Sequence, residues 1–246
     1  MSLGMSDDGY AANSEWYAAL VASWQDDNDS VVGSLLGRIE GGAIVDIASG
    51  VGTGLPLLRR LGAERLFAVE PSASMRAGLM TTVAADPDLM ARTTVIASPL
   101  PQALNELPDH WSAVVMLNAI GHLDDVTRTA LWAATSDRLR AGGRFVISLQ
   151  PPDAVTTIPW TDFGPVQIGE RRVATRGQAE PVDDAHVVWT MEWTLTDAVG
   201  EVLDQRRASH PWRVLSRAQI GDEAAEYGLS PAEEGGTASF FALEKR

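Results

Sequence analysis

Val45-Asp46-Ile47-Ala48-Ser49-Gly50-Val51-Gly52-Thr53-Gly54 reads as a buried strand, a glycine-rich turn and the start of a helix. Ala43, Ile44, Val45 and Ile47 form the short apolar run expected of a strand covered on both faces, as in a parallel sheet. Asp46 interrupts that run, and a carboxylate there is costly to bury unless backbone amides or a ligand hydrogen-bond to it. Gly50, Gly52 and Gly54 let the backbone take conformations closed to other residues and approach a ligand closely. The helix beyond, over residues 55–61, aims its N-terminus at the same place.

Spacing separates the ligand classes that use such a turn. A dinucleotide turn needs G-x-G-x-x-G. Counted from Gly50 and Gly52 the third position is Leu55, and counted from Gly52 and Gly54 it is Leu57, so the pattern fails in either register. No Gly-Lys-Ser/Thr follows, which excludes a phosphate loop. What remains resembles the first motif of the class I S-adenosylmethionine-dependent methyltransferases. Asp46, Gly50 and Gly52 fall on that family's acidic and glycine positions, and Ala48 stands where many members have their first glycine. Without the resemblance, the same residues read as a tight strand-to-helix turn in an α/β domain.

Working outward, Arg65-Leu66-Phe67-Ala68-Val69-Glu70 is a short apolar strand closed by a second carboxylate. Glu70 lies about 20 residues beyond the first glycine, where α/β nucleotide folds place an acid for ribose hydroxyls. Glu70, Pro71, Ser72 and Met75 resemble the family's second motif, which implies that Pro71 and Met75 also line the cofactor. A third strand over 93–97 precedes Ser98, where the family often has an acid for the adenine amino group; Ser98 and Leu100 take that place here. A fourth strand over 109–118 runs into Asn118 and His122. Ligands of open α/β sheets bind outside the carboxyl ends of the strands, so Asn118 is read as a cofactor contact. His122 is the best general-base candidate, since its pKa lies near working pH. The alternative for His122 is packing against the cofactor or capping the helix that starts near Asp124. That helix ends before Gly142-Gly143, and 144–149 is a fifth strand. Strand and helix alternate throughout, which predicts a parallel sheet with right-handed crossovers.

Before this core, residues 13–25 carry apolar side chains at helical spacing. Asp26 to Ser30 reads as a break, and 31–39 as a second helix ending at Gly41-Gly42. The resemblance implies that these helices cover the cofactor, so Tyr10 and Tyr17 either face the substrate pocket or pack in the core. After the core, 151–165 reads as an irregular segment rich in proline and containing Trp160. Val187, Trp189, Met191, Trp193 and Leu195 alternate with polar residues, and 201–215 returns as the partner strand of a hairpin. That hairpin either walls the substrate pocket or forms a homodimer contact. Its Trp residues stack on substrate or pack a sheet face, and Trp160 is taken as a substrate contact. His186 and His210 read as surface residues. A helix from Ser216 to about 227 and a strand over 238–243 close the fold.

Composition bounds the function. The chain has 246 residues, 45% hydrophobic and 21% charged, with a net charge of −14 and a single lysine, Lys245. That charge disfavours nucleic acid and anionic membranes, which call for clustered Lys and Arg. The absence of cysteine excludes disulfides and thiolate metal sites. No metal-ligand cluster, signal peptide or membrane-spanning stretch is evident, so a cytoplasmic protein is expected. The first four residues, ahead of Met5, receive no structural weight. Gly-x-Ser-x-Gly is absent, so a hydrolase nucleophile elbow has no support.

The expectation is a single α/β domain with a Rossmann-like, mostly parallel seven-stranded sheet whose last strand is antiparallel. Residues 1–41 form a helical cap, 42–150 the cofactor core, 151–215 a substrate-side insertion with the hairpin, and 216–246 the final helix and strand. The resemblance implies methyl transfer from S-adenosyl-L-methionine to a nitrogen or oxygen of a small molecule, as in amino-sugar N-methyltransferases. Two rivals are a cofactor-binding regulatory module and a dinucleotide-dependent oxidoreductase.

Overall fold

The computed structural model describes residues 8–232 and 236–245, so the first four residues lie outside it. Strand β1 (Ala43–Ile47) pairs in parallel with β2 (Arg65–Val69) on one side and β4 (Trp111–Met116) on the other. With β3 (Thr93–Ile96), β5 (Leu139–Ser148), β10 (Leu229–Pro231) and β11 (Phe240–Lys245) they form a seven-stranded sheet in the order β10-β11-β5-β4-β1-β2-β3. The pairs β11–β5 and β10–β11 are antiparallel and the other pairs parallel. Strand order reverses between β1 and β4, which is where open α/β sheets leave a crevice for ligands.

The two-residue period of the strands builds a three-layer core. Val45, Ile47, Val69, Val114 and Ile147 face one side, where they pack with Trp132 of α6 (Asp125–Arg138) and Ile220 of α7 (Arg217–Ala225). Ile44, Ala68, Val115 and Val146 face the other, against Leu35 of α2 (Gln25–Leu36), Leu58 of α3 (Leu55–Arg60) and Leu79 of α4 (Ala73–Ala84). A short helix, α5 (Pro87–Arg92), leads into β3. Asp46 shares the second face, which is why it is only 7% exposed.

Helix α1 (Ser14–Ser23) forms as expected, but the acidic run does not break the chain. Asp26 and Asp27 lie in the first turn of α2, where negative charge complements the helix dipole. The helix stops at Gly37 (φ 63°) rather than at Gly41-Gly42. Strand β5 begins at Leu139, earlier than expected, and its pairing with β4 shifts register between Trp111 and Ala113.

The larger difference follows β5. Much of the segment read as irregular is β6 (Ile158–Ile168), which pairs antiparallel with β7 (Arg171–Pro181). The expected hairpin, β8 (His186–Thr196) and β9 (Val202–Arg213), continues it into a four-stranded accessory sheet. One face is apolar, with Val187, Trp189 and Trp193 buried against Trp16 and Leu20 of α1. Arg206 clamps the two together: it donates to the carbonyl of Ala12 at 2.9 Å, pairs with Glu15 at 2.7 Å and lies 4.0 Å from the Trp16 ring. Among the described residues, no helix is long and apolar enough to cross a membrane.

Candidate functional site

The turn after β1 is built on left-handed backbone. Ala48 has φ 57°, Gly50 φ 57° and Gly52 φ 79°. Ala48 therefore occupies a glycine-type position with a side chain in place. The turn is tied to the end of β2 twice: Ser49 N–H donates to the Val69 carbonyl at 3.0 Å, and Gly50 N–H donates to Glu70 Oε2 at 2.8 Å. Glu70 Oε1 accepts from Ser72 N–H at 2.8 Å. Two backbone amides thus orient a carboxylate that is 5% exposed. Burial raises its pKa, the two amides pull it back, and Arg76 adds a smaller lowering. Gly52 has a packing role as well: a Cβ there would lie 2.6 Å from Leu79 Cδ1.

A cavity of about 570 Å³ opens at the carboxyl ends of β1, β2 and β4. Ala48 and Gly50 form its floor, and Glu70, Pro71 and Met75 one side. Leu100, Asn118 and His122 line it further round, and Tyr10 and Tyr17 come over from the N-terminal segment. The tyrosine rings meet edge-on at 5.4 Å. Burial raises the pKa of both phenols, that of Tyr17 to about 12. A second cavity of about 90 Å³ lies on the other side of the turn, sharing Tyr17, Ala48, Gly50 and Asn118 with the first.

Asp46 reaches the smaller cavity. Its pKa is pushed up to about 7, chiefly by burial; Ser49 opposes the rise through a hydrogen bond and Glu70 adds to it. Among the described residues neither Asp46 nor Glu70 forms an ion pair, and no cluster of three or more His, Cys, Asp or Glu side chains is placed to hold a metal ion. Asn118, at φ 51°, is locked by Ser148: its backbone N–H donates to Ser148 Oγ at 2.8 Å, and that hydroxyl donates to Asn118 Oδ1 at 3.0 Å.

His122 ends a single 3-10 turn, Ile120–His122, and its accessible surface faces the large cavity. The protein around it lowers its pKa through desolvation. The cap of α6 is Asp124, whose side chain accepts from Thr127 N–H at 2.8 Å, so His122 does not have that role.

Four assignments need correction. Ser98 does not line the cavity, because alternation beyond β3 turns Ala97 and Pro99 inward and Ser98 away. Trp160 lies in neither cavity; it is 37% exposed on β6, with the guanidinium groups of Arg176 and Arg207 at 4.7 and 5.5 Å from its ring. His210 is half-buried rather than out on the surface, its ring centroid 5.2 Å from that of His122. His186 is half-buried as well, its ring hydrogen-bonded to Asp183 at 2.9 Å.

Asp8 is an addition to the expected set. It lines the large cavity and accepts from Ser72 Oγ at 2.7 Å and Ser74 N–H at 2.9 Å, tying the N-terminal segment to the start of α4. Its separation from Ser72, 64 residues, leaves no local signal for the contact.

A family model described as a methyltransferase domain matches residues 26–233. No curated protein sequence matches the chain. Among solved structures, DesVI from Streptomyces venezuelae superposes with a TM-score of 0.67 at 19% identity, over 99% of this chain and 100% of that one. An S-adenosylmethionine-dependent methyltransferase from Clostridium acetobutylicum superposes with a TM-score of 0.67 at 14% identity, over 96% and 98%. The sugar N-methyltransferase KedS8 from Streptoalloteichus gives 0.62 at 19%, over 100% and 95%. At these identities the likeness is one of fold.

Proposed function

The chain belongs to the methyltransferase-domain family, and from that premise we propose that it transfers a methyl group from S-adenosylmethionine to a nitrogen or oxygen of a small molecule. The observation that carries this reading is the pair of buried carboxylates, Asp46 and Glu70, flanking a left-handed turn with no cation paired to either among the described residues. A ligand bearing positive charge relieves the cost of burying them. S-adenosylmethionine carries a sulfonium and an ammonium, and when bound it supplies an activated methyl carbon, the electron pair of the breaking carbon–sulfur bond staying on sulfur.

The chain's own residues fit that group. A Cβ placed on Gly50 would meet no atom within 4 Å, so the turn faces open space. Each Glu70 oxygen accepts one backbone amide and keeps a lone pair for a ribose hydroxyl. Ala97, Pro99 and Leu100 offer an apolar wall for adenine in place of an acid at Ser98. A volume of about 570 Å³ falls within the range of roughly 300–1,000 Å³ usual for small-molecule sites.

At the far wall, His122 is suited to take the proton that the acceptor gives up. The acceptor's N–H or O–H bond breaks as its bond to carbon forms, and the proton passes to the imidazole and then to water. An amine gains little from this and a hydroxyl more, since alignment supplies most of the rate. A sugar N-methyltransferase and an amino pentose methyltransferase among the neighbours support an amino sugar as the acceptor class. The net charge of −14 supports a small molecule over nucleic acid. We take the whole chain as one catalytic unit, the accessory sheet forming the acceptor side.

Calorimetric titration with S-adenosylhomocysteine tests the reading. Wild type binds, and Glu70→Gln, which sets an amide NH2 against one of two backbone N–H donors, loses about 1–3 kcal/mol, roughly 5- to 150-fold in affinity. No binding by folded wild type would overturn the proposal.

A further inference from the structure

Where His122 lines the large cavity, its ring is backed by the accessory sheet. His210 and Trp212 are two residues apart on β9 and so project from one face. Trp212, 2% exposed, stands edge-on to His122, with ring centroids 4.8 Å apart and planes at 82°. It reaches that position because Gly121 has no side chain: a Cβ there would lie 2.2 Å from Trp212 Cε2. The His210 ring lies 5.2 Å from His122 and 6.3 Å from Trp212. His122 lines the cavity, whereas His210 is among neither cavity's lining residues.

We propose that His210 is a positioning residue for His122, holding its ring, together with Trp212, against the cavity wall and keeping it in the neutral form that accepts a proton. The proposal rests on the reading of His122 as the group that takes the acceptor's proton. Two imidazoles this close in a partly desolvated site cannot both be charged without mutual repulsion. Burial and, next, the charge of His122 push His210 down to about 4, so the pair holds at most one proton at working pH and His122 receives it.

The other groups around the rings leave this coupling intact. His210 pairs across the strands with Trp189, and Ala208 and Trp212 flank it on its own face. On the His122 side, Asp124 is engaged with Thr127, and Asp125 with Arg128 at 2.8 Å and Arg213 at 3.1 Å. Tyr10 and Tyr17, in the same cavity, are neutral at working pH. Among the described residues no side chain hydrogen-bonds to either imidazole.

The test is NMR titration of the histidine ring protons in the full chain. Its four histidines are His110, His122, His186 and His210, assigned by single His→Asn variants. In His122→Asn the His210 midpoint rises by about one pH unit as a neighbouring positive charge is removed. In His210→Asn the His122 midpoint rises toward the ordinary imidazole value, because a smaller side chain admits water. His186→Asn moves neither. A His210 midpoint unchanged in His122→Asn, in a variant whose melting curve shows it folded, would overturn the proposal. Failure of wild type to bind S-adenosylhomocysteine is a separate result that removes the underlying reading whatever the rings do. Binding without ring coupling removes this proposal alone.

Discussion

Ala48 allows a direct test of whether the turn after β1 is held in a conformation meant for glycine. Its φ of 57° is left-handed, which costs a residue with a Cβ about 1–2 kcal/mol relative to right-handed backbone. Ala48→Gly removes that cost. Against the gain stand the added freedom of the unfolded chain, about 0.4–1 kcal/mol, and the loss of a half-buried methyl packed on the sheet, about half of ~0.8 kcal/mol. Taking midpoints, the sum is a slight stabilisation of ~0.4 kcal/mol. Were Ala48 right-handed, the same substitution would destabilise by about 1 kcal/mol. The two cases differ by about 1.5 kcal/mol, well resolved by urea denaturation followed through tryptophan fluorescence. Ala48→Val serves as the opposite arm, since a branched side chain is worse placed at positive φ, and it destabilises. A loss of 1 kcal/mol or more in Ala48→Gly would refute the reasoning.

Two further perturbations follow from buried charge. Asp46 has a pKa raised from 3.8 to about 7, so between those values the folded protein binds a proton that the unfolded chain has released. Its contribution is fully favourable below about 4 and is lost as pH rises to 7, with an upper bound of roughly 4 kcal/mol. Asp46→Asn removes that dependence and is more stable than wild type at pH 8, a result read from urea curves at pH 5 and pH 8; parallel curves for the two proteins would contradict it. Arg128, 2% exposed, donates to Glu223 at 2.8 and 3.0 Å, to Asp125 at 2.8 Å and to the Leu123 carbonyl at 2.9 Å. Arg128→Met removes one partner from each of these acceptors and costs about 2–3 kcal/mol, below the fully buried case because Asp125 keeps Arg213, Glu223 keeps the Trp132 N–H and both carboxylates remain partly in water. In thermal denaturation this is a fall of roughly 4–12 °C, and Glu223→Leu added to it restores part of the loss.

What could be read from local sequence is what local physics dictates. The strand runs of β1, β2 and β4 are legible because burial on both faces demands continuous apolar residues, and the turn because its geometry demands glycine. Asp46 and Glu70 stand out as carboxylates in runs otherwise apolar. The acidic break was misleading for a comparable reason: Asp26 and Asp27 look like a loop until one asks whether they sit in a first helical turn, where the dipole favours them. Trp160 looked available for a ligand because the proline-rich stretch around it resembles a loop, yet edge strands tolerate proline. Pro159 and Pro165 lie in β6, which is such an edge.

The acceptor side of the site was the least legible because it is assembled from distant pieces that carry no shared local pattern. Asp8 reaches Ser72, and His210 reaches His122, only after two sheets and a helix have packed. One residue does carry a trace of that assembly. Gly121 sits in the 3-10 turn without the left-handed backbone that calls for glycine, and the approach of Trp212 accounts for the missing side chain. A glycine that local geometry does not require is thus a signal of close packing by something remote, although the sequence does not say what. Here it is the strand that brings His210. The same packing that buries the accessory sheet's tryptophans against α1 also brings Tyr10 and Tyr17 over the cavity. Accessory-sheet stability and the geometry of the site are therefore one energetic unit, and substitutions in the Trp189 and Trp193 core are expected to loosen the His122 wall even though neither residue lines it.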